Sequence, residues 1–371
     1  MKKIVLTGGG TGGHLFPLAT VVEYIRDNYK EEEIQFVYFG PKGKLEKEIM
    51  TNINIPQKWI LSGKLRRYFS FKYIVDLIKM PLGFMQSLFH LLIYMPDAVF
   101  AKGGYASVPV VLAAWLYRIP IIIHESDAKP GMANEFLGNL ATRVAISFER
   151  ARIHFPPSKT FLSGNPVSKR VLGGDPKEAM RILHINKIVK PVVFILGGSQ
   201  GAEFINRRIL QALKSLVSKY QIVHQTGVKD YQAVVNEAER QGFKIGHSDY
   251  YPVAFIGDEI KHFYALADVV ISRAGATTIA EISANKKLSI LVPITHSANN
   301  HQRMNAFEIA RLGGAIVLEE NNFKENLILL RLKQLIYDKE IKAKIQEGVG
   351  KFYNPQATKM ISEELIKLAD E

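Results

Sequence analysis

The sequence predicts an α/β protein of two similar halves, and three observations lead there. The chain opens on a β-branched run (Ile4, Val5, Leu6), a glycine cluster and an apolar helical pattern. At Pro191 the same order returns, as PVVFILGGSQGAEFINRRIL with Gly197, Gly198 and Gly201. Between and after these openings, short apolar runs alternate with helical patterns, the signature of parallel sheets with crossover helices.

In the first opening, Gly8, Gly9, Gly10, Gly12 and Gly13 surround Thr11, and His14 and Pro17 precede the helical positions Leu18, Val21, Val22 and Ile25. Glycine permits positive φ and close approach of a ligand to the main chain. A helix N-terminus adds free N–H groups and a positive dipole end, which suit a phosphate or another polar ligand. The loop also satisfies G-x-G-x-x-G, through Gly8, Gly10 and Gly13. A dinucleotide oxidoreductase is nevertheless disfavoured. Its second strand should end in an acid that holds the ribose, whereas IQFVYFG runs into Gly40-Pro41-Lys42. His14 is also unexpected in a loop that only contacts pyrophosphate.

A chain of 371 residues is long enough for two domains. It has no cysteine, which excludes disulfides and thiolate metal sites and is compatible with a reducing cytosol. MKK leads straight into a strand, so no signal peptide is expected, and no apolar run reaches the length of a membrane span. The net charge of +13 implies an acidic partner, whether nucleic acid, anionic lipid or a phosphorylated substrate. Composition does not choose among them.

After the opening unit, EEIQFVYFG reads as a strand and residues 45–50 as a short helix. Residues 51–96 change character, with Lys58, Lys64, Arg66, Arg67, Lys72 and Lys79 against the single acid Asp76, and with Trp59, Tyr68, Phe69, Phe71 and Tyr73 among them. Phe71, Ile74, Val75 and Ile78 fall on one helical face and Lys72, Asp76 and Lys79 on another. A second, nearly all-apolar helix is expected over 82–95. Two readings stand side by side: core helices whose polar faces happen to be basic, or a surface that lies on anionic membrane.

The strand 97–104 ends in another glycine turn, a helix follows over 108–117, and IPIIIHE places His124 and Glu125 at the end of the next strand. Ligand groups gather outside the carboxyl ends of parallel strands. A lone histidine there is more often structural, but Gly8–His14, Gly103–Tyr105 and His124–Asp127 together favour a site. The proline-containing segment 155–167 marks the domain boundary. Beyond it, QIVHQTG, PVAFIGD, DVVISRAGATTIAEI and LSILVPI supply further strands, and a ligand site between the two halves is the default expectation. In SRAGATTIAE, Thr277 or Thr278 is expected to cap a helix that carries Glu281 in its first turns. A diphosphate would sit at that N-terminus, with Glu281 placed to take the hydroxyls of a ribose. Taken alone, Glu281 reads rather as an acid compensating the helix dipole.

The segments GGGTGGHLFPLA, KGGYASVP, IHESDAKPGMAN, GNPV, LGGSQGA, SRAGATTIAE and VPITHSANNHQRMNA occur in this order. With them the chain closely resembles the MurG family, which adds N-acetylglucosamine to the undecaprenyl-pyrophosphoryl-muramoyl-pentapeptide precursor of peptidoglycan. The resemblance covers nearly the whole chain, and the opening loop, SRAGATT and HQRMNA are its most specific parts. It implies a GT-B fold, two Rossmann-like doubly wound parallel-sheet domains facing a cleft. Residues 1–163 would form the acceptor and membrane domain, residues 164–355 the UDP-sugar domain, and the closing helix, 356–371, would pack back on the first. Carried over by position, His14 is a base or acceptor-site residue, with His124 and Glu125 the next catalytic candidates. Gly104, Tyr105 and Asn134 fall on the acceptor side. Thr11, Gly12, Gly13, Ser199, Gln200, Gly201, Ala276, Thr277, Glu281, Gln302 and Asn305 fall on the donor side, with the main chain of Ile256 reading the uracil. Two departures stand out. Ser126-Asp127 replace the family's usual Gln-Asn, and Ser168, with Lys169 and Arg170 behind it, stands where an arginine is common.

The activity implied is an inverting transfer of N-acetylglucosamine from UDP-N-acetylglucosamine to the C4 hydroxyl of the lipid-linked muramoyl acceptor. A helix N-terminus disfavours the imidazolium and would keep His14 available as base. No Asp-x-Asp pair occurs, so no obligatory metal and no cofactor are expected. The expected partners are the donor, the acceptor and an anionic membrane surface met by residues 51–96, at the cytoplasmic face of the bacterial membrane. A UDP-sugar epimerase or hydrolase on the same fold is the alternative. A nucleic-acid binder would lack an aromatic-interleaved RNA platform and leave the site motifs unexplained.

Overall fold

The computed structural model describes residues 1–30, 33–63, 71–197, 201–295 and 300–371. The basic cluster Lys64, Arg66 and Arg67, with Tyr68 and Phe69, lies outside them, as do Ser199 and Gln200. The chain divides into two compact units, Met1–Ser168 with Asn354–Glu371, and Lys169–Tyr353. The crossing falls a few residues beyond the boundary expected after residue 163.

The first unit runs β1 (Lys2–Thr7), α1 (Gly12–Asn28), β2 (Ile34–Gly40), α2 (Lys44–Asn52), β3 (Gln57–Trp59), α3 (Phe71–Tyr94), β4 (Ala98–Ala101), α4 (Val108–Leu116), β5 (Ile121–Glu125), α5 (Met132–Gly138), β6 (Arg143–Ile146) and β7 (Thr160–Leu162). Its strands are parallel, in the order β3-β2-β1-β4-β5-β6-β7, with Ile4 of β1 opposite Phe36 on one side and Ala98 on the other. The central strands are buried on both faces, which is why they read as continuous apolar runs and not as an alternation.

The second unit runs α6 (Pro176–Ile182), β8 (Val192–Leu196), α7 (Glu203–Val217), β9 (Gln221–Gln225), α8 (Tyr231–Arg240), β10 (Tyr250–Val253), α9 (Ile260–Leu266), β11 (Val269–Ser272), α10 (Ala276–Ala284), β12 (Leu288–Leu291), α11 (His301–Arg311), β13 (Ile316–Val317), α12 (Glu325–Tyr337) and α13 (Lys339–Phe352). Its sheet is also parallel, ordered β10-β9-β8-β11-β12-β13. In both sheets the strand order reverses beside the opening strand, between β1 and β4 and between β8 and β11. A doubly wound sheet opens a crevice at that point, past the carboxyl ends of the strands. Gly8 directly follows β1 and Gly197 directly follows β8 at these points.

The last helix, α14 (Ala357–Leu368), belongs to the first unit. Ile361, Leu365, Ile366 and Leu368 join the core formed by Ile4, Leu18, Val21 and Val22, and Arg143 pairs with Glu364 at 2.6 Å. Asn354 Nδ2 donates to the Ser163 carbonyl at 2.8 Å, which fastens the start of this segment.

The two helices expected over 71–95 are one. α3 continues for 24 residues with Pro81 inside it. A proline in a helix interior forfeits one hydrogen bond and costs about 3 kcal/mol. Leu91 and, partly, Met80, Phe84 and Leu88 offset that by packing with Val110, Val111 and Ala114 of α4. Gly83 is required there, because a Cβ would fall 1.8 Å from the Leu61 carbonyl.

Candidate active site

At the end of β1 the loop is held from the side. The Tyr38 hydroxyl donates to the Gly8 carbonyl, and Gly10 N–H donates to Glu46 Oε1 at 2.8 Å. The second strand offers no acid, yet α2 brings one to this loop, and Glu46 occupies an N–H that a phosphate would need. Gly10 has φ +88° and lies beside the Tyr105 ring, whose hydroxyl would be 3.4 Å from a Cβ at position 10. α1 begins at Gly12, earlier than the apolar pattern suggested, so His14 sits in its first turn. Thr11 takes the N-cap position without a side-chain cap bond.

The turn after β4 closes on the same place. Gly103 and Gly104 have φ +88° and +78°. A Cβ on Gly103 would fall 2.1 Å from Asn134 Oδ1, and one on Gly104 would fall 3.4 Å from His14 Nε2. The glycines therefore let this main chain press against both side chains. Gly10, His14, Gly104, Tyr105 and Asn134 form one cluster.

Behind it lies a charged layer. Asn134 Nδ2 donates to Glu125 Oε2 at 2.9 Å, and Asp127 N–H donates to Glu125 Oε1 at 2.8 Å. Lys102, directly after β4, reaches Ser126 Oγ at 2.9 Å. Burial raises the Glu125 pKa to about 7, the Asp127 carboxylate adds to the rise, and the Lys102 ammonium opposes it. His124 is wholly enclosed, with Nε2 3.0 Å from Ser147 Oγ and 3.2 Å from the Gly164 carbonyl. A carbonyl only accepts, so Nε2 carries the proton in the neutral ring. Burial, and then Lys102, hold His124 well below the ordinary histidine range. This geometry makes His124 a brace between β5 and the segment after β7.

In the second unit, Gly201 has φ +82°, and a Cβ there would fall 2.6 Å from the Thr226 carbonyl. Helix α10 starts at Ala276 with Gly275 as N-cap. Thr277 and Thr278 lie inside the helix and do not cap it as expected, because Gly275 already has the extended backbone that the cap position takes (φ −68°, ψ 137°). A cap without a side chain leaves the first-turn N–H groups to a ligand, with the helix dipole behind them. Five residues into the helix, Glu281 accepts a hydrogen bond from the Tyr264 hydroxyl at 3.1 Å. Burial raises its pKa to about 7, and the Tyr264 bond opposes the rise.

Asn305 Nδ2 donates to the Ala274 carbonyl at 3.2 Å, and Gln302 Oε1 accepts from Ile294 N–H at 3.3 Å, so both amides brace the loops around α10. Ile256 is buried in the segment after β10. Sequence reasoning passed over Arg273, whose guanidinium pairs with Glu320 at 2.8 Å and donates to the Val292 carbonyl. It passed over Glu46, Tyr38 and Lys102 as well. Only their tertiary neighbours give them a role.

Glu281 carries a pH prediction. The expected role of Glu281 is to take ribose hydroxyls as an ionised carboxylate, and burial moves its protonation to about pH 7. Affinity for UDP should therefore weaken as pH falls through about 7, and Glu281→Gln should flatten that dependence. Calorimetric titration across this range checks it.

Two doubly wound parallel sheets, each with a glycine directly after its opening strand at the reversal point, define the GT-B fold, which glycosyltransferases share with UDP-sugar epimerases. The chain belongs to glycosyltransferase family 28, and within it to the MurG family. Residues 4–146 match the family 28 N-terminal domain and residues 192–354 its C-terminal domain. A Bacillus anthracis protein named UDP-N-acetylglucosamine--N-acetylmuramyl-(pentapeptide) pyrophosphoryl-undecaprenol N-acetylglucosamine transferase 2 is 37% identical over 92% of this chain and 93% of its own. A Clostridium kluyveri transferase of the same name, without the final numeral, is 35% identical over 95% and 98%. The crystal structure of Acinetobacter baumannii MurG superposes with a TM-score of 0.76 at 25% identity, over 99% of this chain and all of that one. A Neisseria meningitidis UDP-GlcNAc 2-epimerase shares the fold at 14% identity and a TM-score of 0.68.

Proposed function

We propose that the protein transfers N-acetylglucosamine from UDP-N-acetylglucosamine to the C4 hydroxyl of undecaprenyl-pyrophosphoryl-N-acetylmuramoyl-pentapeptide, with inversion at C1. The observation that carries this is kinship along more than nine-tenths of the chain with proteins named for that reaction. The geometry fits the roles. His14, beside the Gly104 main chain, takes the proton as the acceptor oxygen attacks C1, and Tyr105 and Asn134 line the same cluster. The C1–O bond to the diphosphate breaks, UDP leaves with the electron pair, and the open N-terminus of α10 stabilises the developing charge. Glu281 holds the ribose, and the Ile256 main chain faces the uracil. Thr11, Gly12 and Gly13 remain donor-side candidates, with Glu46 already seated beside them. The linkage formed settles the stereochemistry. The proton NMR coupling of the new glycosidic bond should be that of a β-linkage. An α-linkage, or an epimerised UDP-sugar made without acceptor, would overturn the reading.

Such an acceptor lies in a membrane, and the outer face of α3 suits that position. Ile78, Leu82, Met85, Phe89 and Leu92 recur every three or four residues, Ile93 adjoins the last of them, and all are exposed, Met85 and Phe89 at 62%. Trp115 and Leu116 at the end of α4 are exposed as well. Tyr117, which follows them, donates to the Leu88 carbonyl at 3.3 Å and brings that end alongside α3. A helix apolar all round is ordinarily buried, so this stripe is best covered by lipid at the cytoplasmic face. No helix among the described residues is long and apolar enough to cross a membrane. Phe89→Gln with Leu92→Gln should weaken binding to phosphatidylglycerol vesicles by about 1.5–3 kcal/mol for each side chain that lipid buries in full. Reversing Lys64, Arg66, Arg67 and Lys72 to glutamate should abolish it. Both changes should spare turnover of a short water-soluble acceptor. Co-sedimentation unchanged by either would make this face ordinary protein surface.

A further inference from the structure

Lysine is almost never fully buried without partners, yet Lys102 is 1% exposed, in a molecule with 48 Lys and Arg residues to place at its surface. It stands at the sheet's reversal point, where its N–H donates to the Thr7 carbonyl at 2.8 Å and a Cβ on Gly8 would lie 3.2 Å from its own. Among the described residues its ammonium donates to Ser126 Oγ and has two carboxylates near it, those of Glu125 and Asp127. Ser126 and Asp127 are also the two positions where the chain departs from the family's amide pair. One buried cation thus meets the two changed residues at once. Replacing an amide by Asp127 puts a second anion beside Glu125, and Lys102 supplies the charge that offsets it.

We propose that Lys102 is a positioning residue of the acceptor-side cluster, its buried ammonium anchored on Ser126 and balancing Glu125 and Asp127, so that Glu125 stays an ionised acceptor for Asn134 beneath the Gly103–Gly104 turn. The proposal rests on the acceptor-side role given above to His14, Tyr105 and Asn134. Lys102 does not touch the sugar; it acts through Glu125 and the amide that Glu125 orients. Burial lowers the Lys102 pKa to about 8, and Glu125 and Asp127 pull against that fall. Without the ammonium, burial and Asp127 act on Glu125 opposed only by its two hydrogen bonds, and its proton is held to higher pH. The other titratable groups around the pair are His124 from β5, His14 from α1 and Tyr105 from the glycine turn, with Tyr38 and Glu46 holding the neighbouring Gly8–Gly10 loop.

The test is the pH profile of kcat with saturating UDP-N-acetylglucosamine and a water-soluble muramoyl acceptor. Lys102→Met keeps length and apolar bulk and removes the charge. It should move the acid limb upward by about one pH unit, with about a tenfold loss below the limb that recovers at high pH. The KM for donor should not change. Asp127→Asn alone should move the limb downward, and the double variant should return it toward the wild-type position. If Lys102→Met does not fold, Lys102→Gln, which keeps a donor for Ser126 Oγ and removes the charge, carries the same test. A profile lowered equally at every pH, or no shift in either single variant, overturns the proposal. So does a Lys102→Met shift that persists in a Glu125→Gln background, because the charge would then act on His14 directly. Absence of transfer by the wild-type protein would sink the transferase reading itself; transfer with unmoved limbs sinks only the role of Lys102.

Discussion

Replacing His14 by alanine is expected to lower kcat by about two to four orders of magnitude, the usual worth of a positioned general base, with donor affinity little changed. The imidazole lies in the first turn of α1, against the Gly104 main chain, in the cluster that Tyr105 and Asn134 complete. The other candidates are poorly placed for the proton. His124 is enclosed and bound to Ser147 and the Gly164 carbonyl. Glu125 has one oxygen on the Asp127 N–H and the other on Asn134. Single-turnover rates with saturating donor separate chemistry from binding. A variant that keeps near wild-type kcat would make His14 a structural residue and return the search to Glu125.

Glu281→Ala should weaken binding of UDP and UDP-N-acetylglucosamine by about 2–3 kcal/mol, as expected for losing charge-assisted hydrogen bonds to the ribose. A 2′-deoxyribose donor should be hardly affected by the same change. Equal losses for the two donors would mean that Glu281 acts through α10 itself. Tyr264 offers a finer check. Its hydroxyl already donates to Glu281 Oε2, so Tyr264→Phe should raise the Glu281 pKa and weaken UDP binding most near neutral pH.

The two α/β halves were legible because parallel strands buried on both faces read as short β-branched runs, and the glycines that follow β1, β4 and β8 mark where those strands end. His14, Tyr105, Asn134 and Glu281 were named from family motifs, and the structure adds what lies beside each of them. What the sequence hid is long-range. Glu46 lies on a different helix from the Gly10 N–H that it accepts. Arg273 and Glu320 are separated by 47 positions, and nothing in either neighbourhood announces the pair. Lys102 was in view inside KGGYASVP, but a lysine beside two glycines reads as a solvated turn until Ser126 is found 2.9 Å from its ammonium. The break expected before residue 82 failed because periodicity does not register packing: α4 supports α3 across Pro81.

The central claim is that a sugar moves from nucleotide to lipid-linked acceptor, and the release of UDP from UDP-N-acetylglucosamine with and without that acceptor tests it most directly. Release should require the undecaprenyl-pyrophosphoryl-muramoyl-pentapeptide, with one N-acetylglucosamine appearing on the lipid for each UDP set free. Release at an equal rate without acceptor, or UDP formed with no sugar on the lipid, would contradict it.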